Sequence, residues 1–257
     1  MKKLLALLFI LFSSFVFADE KEIINQINAS NKSIVTLVGD SQLVIRKRAL
    51  TFTLLGKFYF QKDTRFRMSN RSAIDNEFTS DIGSNETEFW FYGKRINRNA
   101  MYRCEYGNIL KTRLKDSLNP HWMIEAMGVG NIKIGIIQKQ SDGKFFNLEE
   151  RTSTRRSKVV IGTLIDPSKP AIVGYYIFDK NSRVLGSITI VDSYKTTTNV
   201  YLPKRMEIRW PQEEVIITWD LSNVQINKTI ASATWTMPNL GVPVIDLGRV
   251  IARGVND

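Results

Sequence analysis

Bulky apolar residues alternating with charged ones at a period of two restrict this chain more than any other feature. In GKFYFQK, Phe58 and Phe60 fall on one side of an extended segment, with Lys57, Tyr59 and Gln61 opposite. In RFRMS, Phe66 and Met68 oppose Arg65 and Arg67; in TEFWFY, Phe89 and Phe91 oppose Glu88, Trp90 and Tyr92. In RINRNAMYRCE, Ala100, Tyr102 and Cys104 oppose Asn99, Arg103 and Glu105. The same parity groups Met206, Ile208 and Trp210, and further on Val215, Ile217, Trp219 and Leu221. Strand side chains point alternately to the two faces, so these segments make an antiparallel sheet covered on one side. Phe89 to Tyr92 loads both faces at once. Trp90 and Tyr92 are therefore expected outward, beneath a loop or a bound partner.

Strand signals bounded by Gly, Asn, Asp or Pro recur at 34–38, 42–48, 50–61, 64–70, 86–92, 95–104, 143–148, 157–164, 171–178, 183–191, 199–210, 214–221 and 224–235. Ten or eleven strands are expected, in a mainly β fold with a single curved antiparallel sheet that does not close. Two helices interrupt the pattern. Residues 19–32 place Ile23, Ile24 and Ile27 together, with acids in the first turn where the helix dipole favours them. In SLNPHWMIEAMG, Asn119 is an N-cap, Pro120 opens the helix and Gly128 ends it, with Trp122, Met123, Ala126 and Met127 on one face. A sheet of this size curls, and its hollow needs filling. Two short helices leave room for an apolar cavity.

The first eighteen residues carry Lys2 and Lys3, then an apolar run from Leu4 to Phe17, then Val16 and Ala18 at signal-peptidase spacing. This fourteen-residue run falls short of the roughly 20 that span a bilayer, so export with cleavage after Ala18 is expected. The mature chain, 19–257, is expected to be one domain. The lone cysteine, Cys104, excludes an intramolecular disulfide. Without the leader's lysines, 34 bases face 25 acids, a formal +9. For an exported protein this charge points to anionic lipid headgroups rather than nucleic acid. Arg46-Lys47-Arg48, Lys94-Arg95-Arg98 and Arg151…Arg155-Arg156-Lys158 are solvated turns or headgroup contacts at a cavity rim.

At this point the chain resembles the periplasmic outer-membrane lipoprotein carriers and receptors, the LolA/LolB-like superfamily. The resemblance rests on EIINQINASNKSIVTLVG after the leader, on GKFYFQKDTRFRMS, on GSNETEFWFYGKR, and on the closing LPKRMEIRW…VIITWDLSNVQINKTIASATWTMPNLGVPVIDL with Asn227 near its last strand. It implies an unclosed half-barrel that binds lipid or lipoprotein acyl chains beneath a helical lid, as a periplasmic carrier moving them toward the outer membrane. The alternative is a non-transporting envelope sensor or interaction module on the same fold. The lining would be Phe58, Phe60, Phe66, Met68, Phe89, Phe91, Tyr102, Met206 and Ile208, with Trp122, Met123 and Met127 from the lid. Where the family carries an Arg-Pro pair whose arginine latches the lid, this chain has Lys62-Asp63, and Lys62 is the substitute as a point charge without the planar fork. A monomer is expected, with no cofactor, touching a membrane surface or an inner-membrane transporter.

Catalysis is not expected. His121 is the only histidine and sits on the polar side of its helix; Cys104 shares a face with Tyr102 and Ala100, as an inert buried thiol would. Glu149-Glu150 and Glu213-Glu214 diverge if extended, and no phosphate-binding glycine loop or GxSxG occurs. An outer-membrane barrel would turn its apolar side outward, whereas the outer parity positions here carry bases and acids.

Overall fold

Fourteen strands of the described residues form one sheet in a computed structural model, which describes residues 19–62, 64–94, 99–109, 127–142, 144–152, 155–162, 171–179, 181–196 and 200–252. Helix α1 (Glu20–Lys32) precedes β1 (Thr36–Lys47), β2 (Leu50–Gln61), β3 (Arg65–Ser72), β4 (Phe78–Ser84), β5 (Glu88–Gly93) and β6 (Met101–Glu105). Helix α2 (Tyr106–Ile109) follows, then β7 (Ile136–Lys139), β8 (Phe145–Thr152), β9 (Arg155–Gly162), β10 (Ala171–Phe178), β11 (Val184–Lys195), β12 (Tyr201–Trp210) and β13 (Val215–Ile226). Strand β14 (Val244–Asp246) and helix α3 (Leu247–Ala252) close the chain.

The spatial order is β14-β6-β5-β4-β3-β2-β1-β13-β12-β11-β10-β9-β8-β7. Two meanders, β1–β6 and β7–β13, are joined where β1 pairs with β13, and the sheet stays unclosed. All pairs are antiparallel except β14 with β6, which is parallel. The count exceeds the expected ten or eleven because β4, β7 and β14, none of them among the expected segments, are strands, the last two short edges. The two strands expected at 34–38 and 42–48 are one, Thr36–Lys47, which runs through Gly39 with a register shift. The strand expected at 224–235 ends early. Asn227, at φ 55, breaks β13 after Ile226, and Ser232–Trp235 form a 3₁₀ turn instead.

The parity reading holds across strands. One inner row runs Leu37, Phe60, Phe66, Ser84, Phe89, Cys104 across β1 to β6. Another runs Phe52, Ile45, Ile217, Ile208, Ile188, Tyr175, Val159 across β2 to β9. The long α1 helix lies against this concave side, with Ile24 buried and Ile23 and Ile27 packed on the core. Its caps fit the rules: the Asp19 side chain accepts from the Lys21 amide, Glu20 and Glu22 sit in the first turn and Lys32 in the last.

On the convex side, Trp90 and Tyr92 are buried, as an aromatic on the outer face requires. After β13 the chain crosses the backs of the first meander's strands to reach the far edge as β14. Met237, Leu240 and Val242 from this strap pack on Trp90, Tyr92, Met101 and Phe78. Asp81, with no exposed side-chain surface, accepts from the Trp90 indole at 2.7 Å and from two nitrogens of Arg67 at 3.0 and 3.1 Å. Burial pushes the Asp81 carboxyl up, against the pull of Arg67 and the indole. Arg67 also donates to Thr234 O at 3.0 Å, and Asn85 to Trp235 O at 3.2 Å, so the polar node fixes the strap. The Trp90 ring lies flat across Gly83, where a Cβ would meet ring carbons at 2.2 and 2.5 Å. Gly83→Val is therefore expected to displace Trp90 and lower stability by about 1–3 kcal/mol in urea unfolding, while Gly107→Ala, in open space, changes it far less.

Candidate functional site

The concave lining centres on Trp219. Its indole donates to Ser41 Oγ at 2.8 Å, and the edges of Phe58 and Phe66 meet it at 6.2 and 6.3 Å, near perpendicular. Phe58 reaches it across Gly39, where a Cβ would come within 2.5 Å of the Phe58 ring. Phe58, Phe60, Phe66, Met68, Met206 and Ile208 belong to this one cluster with Ile24 of the helix and with Met127, Val129 and Ile132. Phe89 and Cys104 form a second cluster with Phe91, Tyr106 and Leu247, and Phe91 stacks on Tyr102 at 4.9 Å. The candidate lining is thus brought to one face in two neighbouring groups. Trp122, Met123 and His121 lie outside the described residues, as does most of the helix expected at 120–127. Met127 itself is buried in a turn.

What covers the lining is held by asparagines that the hydrophobic pattern does not reveal. Asn28 closes a two-way bridge with Ile132, donating to its carbonyl at 2.8 Å and accepting from its amide at 2.8 Å. Asn31, almost wholly buried, donates to Gly128 O at 2.7 Å and Gly130 O at 3.2 Å. On the other arm, Asn147 donates to Lys133 O and accepts from the Gly135 amide, both at 2.7 Å. Residues 127–135 are therefore a strap tied to α1 at one end and to β8 at the other. Gly128, at φ 68, and Gly135, where a Cβ would press on Leu148 O at 1.8 Å, let it turn and pass close. Lys62 donates to Asn31 O at 3.1 Å at the C-terminal end of α1, a point charge on the helix's exposed carbonyls. Asn227 holds the helix-to-strand joint, accepting from the Val35 amide at 2.8 Å and donating to Ser33 O at 2.8 Å.

Phe58 and Phe66 have no exposed surface and Phe89 has 1 %. A side chain facing a hollow that admits water would show accessible surface, so in this arrangement the space beside these rings is filled by α1, the strap and, near Phe89, Tyr106 and Leu247. Hydrocarbon reaches them only if the cover shifts. Burial decreases toward the β1–β2 turn: along β2's inner face, Phe58 has 0 % exposure, Leu54 7 %, Phe52 37 % and Leu50 59 %. The lining is closed at the helix end and open at the hairpin end.

The signal for the asparagines was present in the sequence. Ile24, Ile27, Asn28 and Asn31 fall at i, i+3, i+4 and i+7, so two amides share the helix's buried stripe. A buried amide needs partners, and backbone carbonyls of a neighbouring loop supply them. Cys104 is buried, and burial followed by the nearby Asp246 and Glu105 carboxylates raises its thiol. Lys158 is not a solvated base: its ammonium lies 3.9 Å from the Phe146 ring centre and 4.8 Å from that of Tyr176, on the convex face.

The fold is shared with solved structures of proteins of low sequence identity. A DUF1329 family protein from Desulfovibrio piger superposes with a TM-score of 0.56 at 11 % identity, over 84 % of this chain and 95 % of its own. A putative outer membrane lipoprotein-sorting protein domain from Vibrio parahaemolyticus does so at 0.55 and 10 % identity, over 83 % and 94 %. A LolA superfamily protein from Nitrosomonas europaea matches at 0.47 and 9 % identity, over 84 % and 97 %. No family model matches the sequence, and no curated protein does. No helix of the described residues is long and apolar enough to cross a membrane.

Asn31→Leu leaves Gly128 O and Gly130 O without their partner. A loss of about 1–3 kcal/mol is expected, with amide exchange accelerated through 127–132 more than in β1 or β13; the exposed Asn131→Leu changes neither. Cys104 is expected to react with a thiol reagent only after denaturant unfolds the sheet.

Proposed function

We propose that this protein binds acyl chains of lipids or lipoproteins on the concave face of its sheet, in the periplasm after removal of residues 1–18, and carries them as a monomer toward the outer membrane. One observation carries the reading: an aromatic and aliphatic lining shared by both meanders is covered by a helix and a strap, not by sheet, and these are attached through a few side-chain amides and the apolar contacts of Ile24, Met127, Val129 and Ile132. Such a cover opens without breaking a strand pair. Each buried CH₂ contributes about 0.8 kcal/mol, so a ~16-carbon chain gains on the order of 10 kcal/mol before losses, enough to offset release of the Asn28, Asn31 and Lys62 bonds. Lys62 then works as the latch on the C-terminal end of α1. The likeness to a lipoprotein-sorting domain supports the direction of this reading.

The filled interior around Phe58, Phe66 and Trp219 favours a second reading, an envelope sensor or interaction module that opens only for its partner and moves no cargo. Transfer of labelled lipid between two vesicle populations separates the two.

Native mass spectrometry and solvent extraction of the purified mature protein are expected to show bound lipid, and the delipidated protein to take up a fluorescent fatty acid. Asn28→Ala with Asn31→Ala is expected to speed uptake several-fold, with the same final occupancy. An empty protein that takes up no acyl chain in either form would overturn the proposal. Phe58→Glu is a poor test, since a carboxylate at a site with no exposure unfolds the core.

A further inference from the structure

Across the concave face of the first meander, one row of paired residues carries no hydrocarbon side chain from β1 to β5. Strand register sets Ser41, Gly56, Asn70, Ser80 and Gly93 side by side there. The next row toward α1 holds Phe58, Met68, Ile82 and Phe91; the next toward the hairpin end holds Trp219, Leu43, Leu54 and Ser72. Ser41 Oγ is already engaged, accepting from the Trp219 indole at 2.8 Å and reaching Met68 Sδ at 3.5 Å. Asn70 is only half satisfied. It has no exposed surface, and its Nδ2 donates to Ser80 Oγ at 3.1 Å, yet its Oδ1 is buried and accepts nothing. A Cβ on Gly56 would stand 2.7 Å from that oxygen, so Oδ1 lies over the glycine, in the space the small residues of the row leave on the lining. The Ser80 hydroxyl, among the described residues, only accepts, from Asn70, and so keeps its own proton to give. A buried amide oxygen without a donor costs stability that an apolar side chain of the same shape would not.

We infer that Asn70 and Ser80 form a polar subsite for a hydroxyl carried partway along an acyl chain, which donates to Asn70 Oδ1 and accepts from Ser80 Oγ. The inference rests on the acyl-binding reading above and adds which chains the concave face selects. A hydroxyl is donor and acceptor at once, so a single group meets both free positions. A plain chain crossing the same row leaves both unmet, and a site built to bond a hydroxyl discriminates strongly against the analogue that lacks one. The row also sets where the hydroxyl falls. Gly56 stands deeper along β2 than the half-exposed Phe52, by about 13 Å at the strand's rise per residue. With the carboxylate at the open hairpin end, the hydroxyl is therefore well along the chain and not beside the carboxyl. Phe58, Phe60 and Phe66 lie deeper still, against the hydrocarbon beyond it.

The test is displacement of a fluorescent fatty acid from the delipidated mature protein by octadecanoic acid and by octadecanoic acids hydroxylated at mid-chain or next to the carboxyl. The mid-chain hydroxy acid is expected to bind about tenfold tighter than the plain acid, and the acid hydroxylated next to the carboxyl to gain nothing. A wholly apolar lining gives the opposite order, because the hydroxyl must then be stripped of water without return. Asn70→Leu is expected to abolish or reverse the preference while octadecanoic acid binds as well as before, with circular dichroism unchanged. Ser80→Ala, the milder change, is expected to reduce the preference several-fold, and it decides the matter if Asn70→Leu disturbs the fold. Plain and mid-chain hydroxylated acids bound equally, a preference that survives both substitutions, or an equal gain from the hydroxyl next to the carboxyl would each overturn this inference alone. Binding of none of the acids overturns the acyl-binding reading and this inference with it.

Discussion

Everything in this molecule hangs on the ladder between β1 and β13. It joins two meanders that otherwise share no strand pair, and it does so between residues as far apart as Ser41 and Leu221. The entropy of closing so long a loop grows only slowly with length, but it must be met before the contacts return anything. The seam is accordingly the best-supplied part of the interior. Trp219 stands on it, hydrogen-bonded to Ser41 across the pair and edged by two phenylalanines. Asn227 ties its helix end, and Asn223 reaches Asp40 at 2.7 Å on its outer surface.

From that seam the two faces take different solutions to the same problem. The concave face is sealed by elements that contribute no strand, α1 and the strap 127–135, fastened through asparagine side chains. The convex face of the first meander is sealed by the chain after β13, fastened at Asp81, Arg67 and Asn85 and finished by the parallel β14. Four aromatics in a row at 89–92 are then no anomaly: Phe89 and Phe91 serve the inner face, Trp90 and Tyr92 the outer, and each has its own cover. The inner cover is tied to the sheet by amides, while the outer one ends as part of it.

Much of this was legible from periodicity alone, because a period of two leaves no freedom about which residues share a face. Phe58, Phe60, Phe66, Met68, Met206 and Ile208 fall together as parity requires, and α1 appears with the expected bounds. What parity does not carry is polar anchoring. Asn28, Asn31 and Asn147 act through backbone groups of a loop with little pattern of its own, and nothing in their identity says which carbonyl they will meet. Strand β4 was hidden for a related reason. Its Gly83 reads as a turn signal but exists to give the Trp90 ring a flat floor. Asn227, which precedes the last strand as the resemblance implies, also ends β13 and binds the joint before β1.

The order in which the outer cover is laid has a cost during biogenesis. Residues 231–246 leave the ribosome after β1 to β6 of the first meander. Until they arrive, Trp90, Tyr92 and Met101 form a bare greasy plate beside the half-desolvated Asp81. A chain stalled or cut short before this point presents that plate to its neighbours, the kind of surface that drives misassembly. The tail that looks like a trailing appendage is what makes the finished chain safe to release.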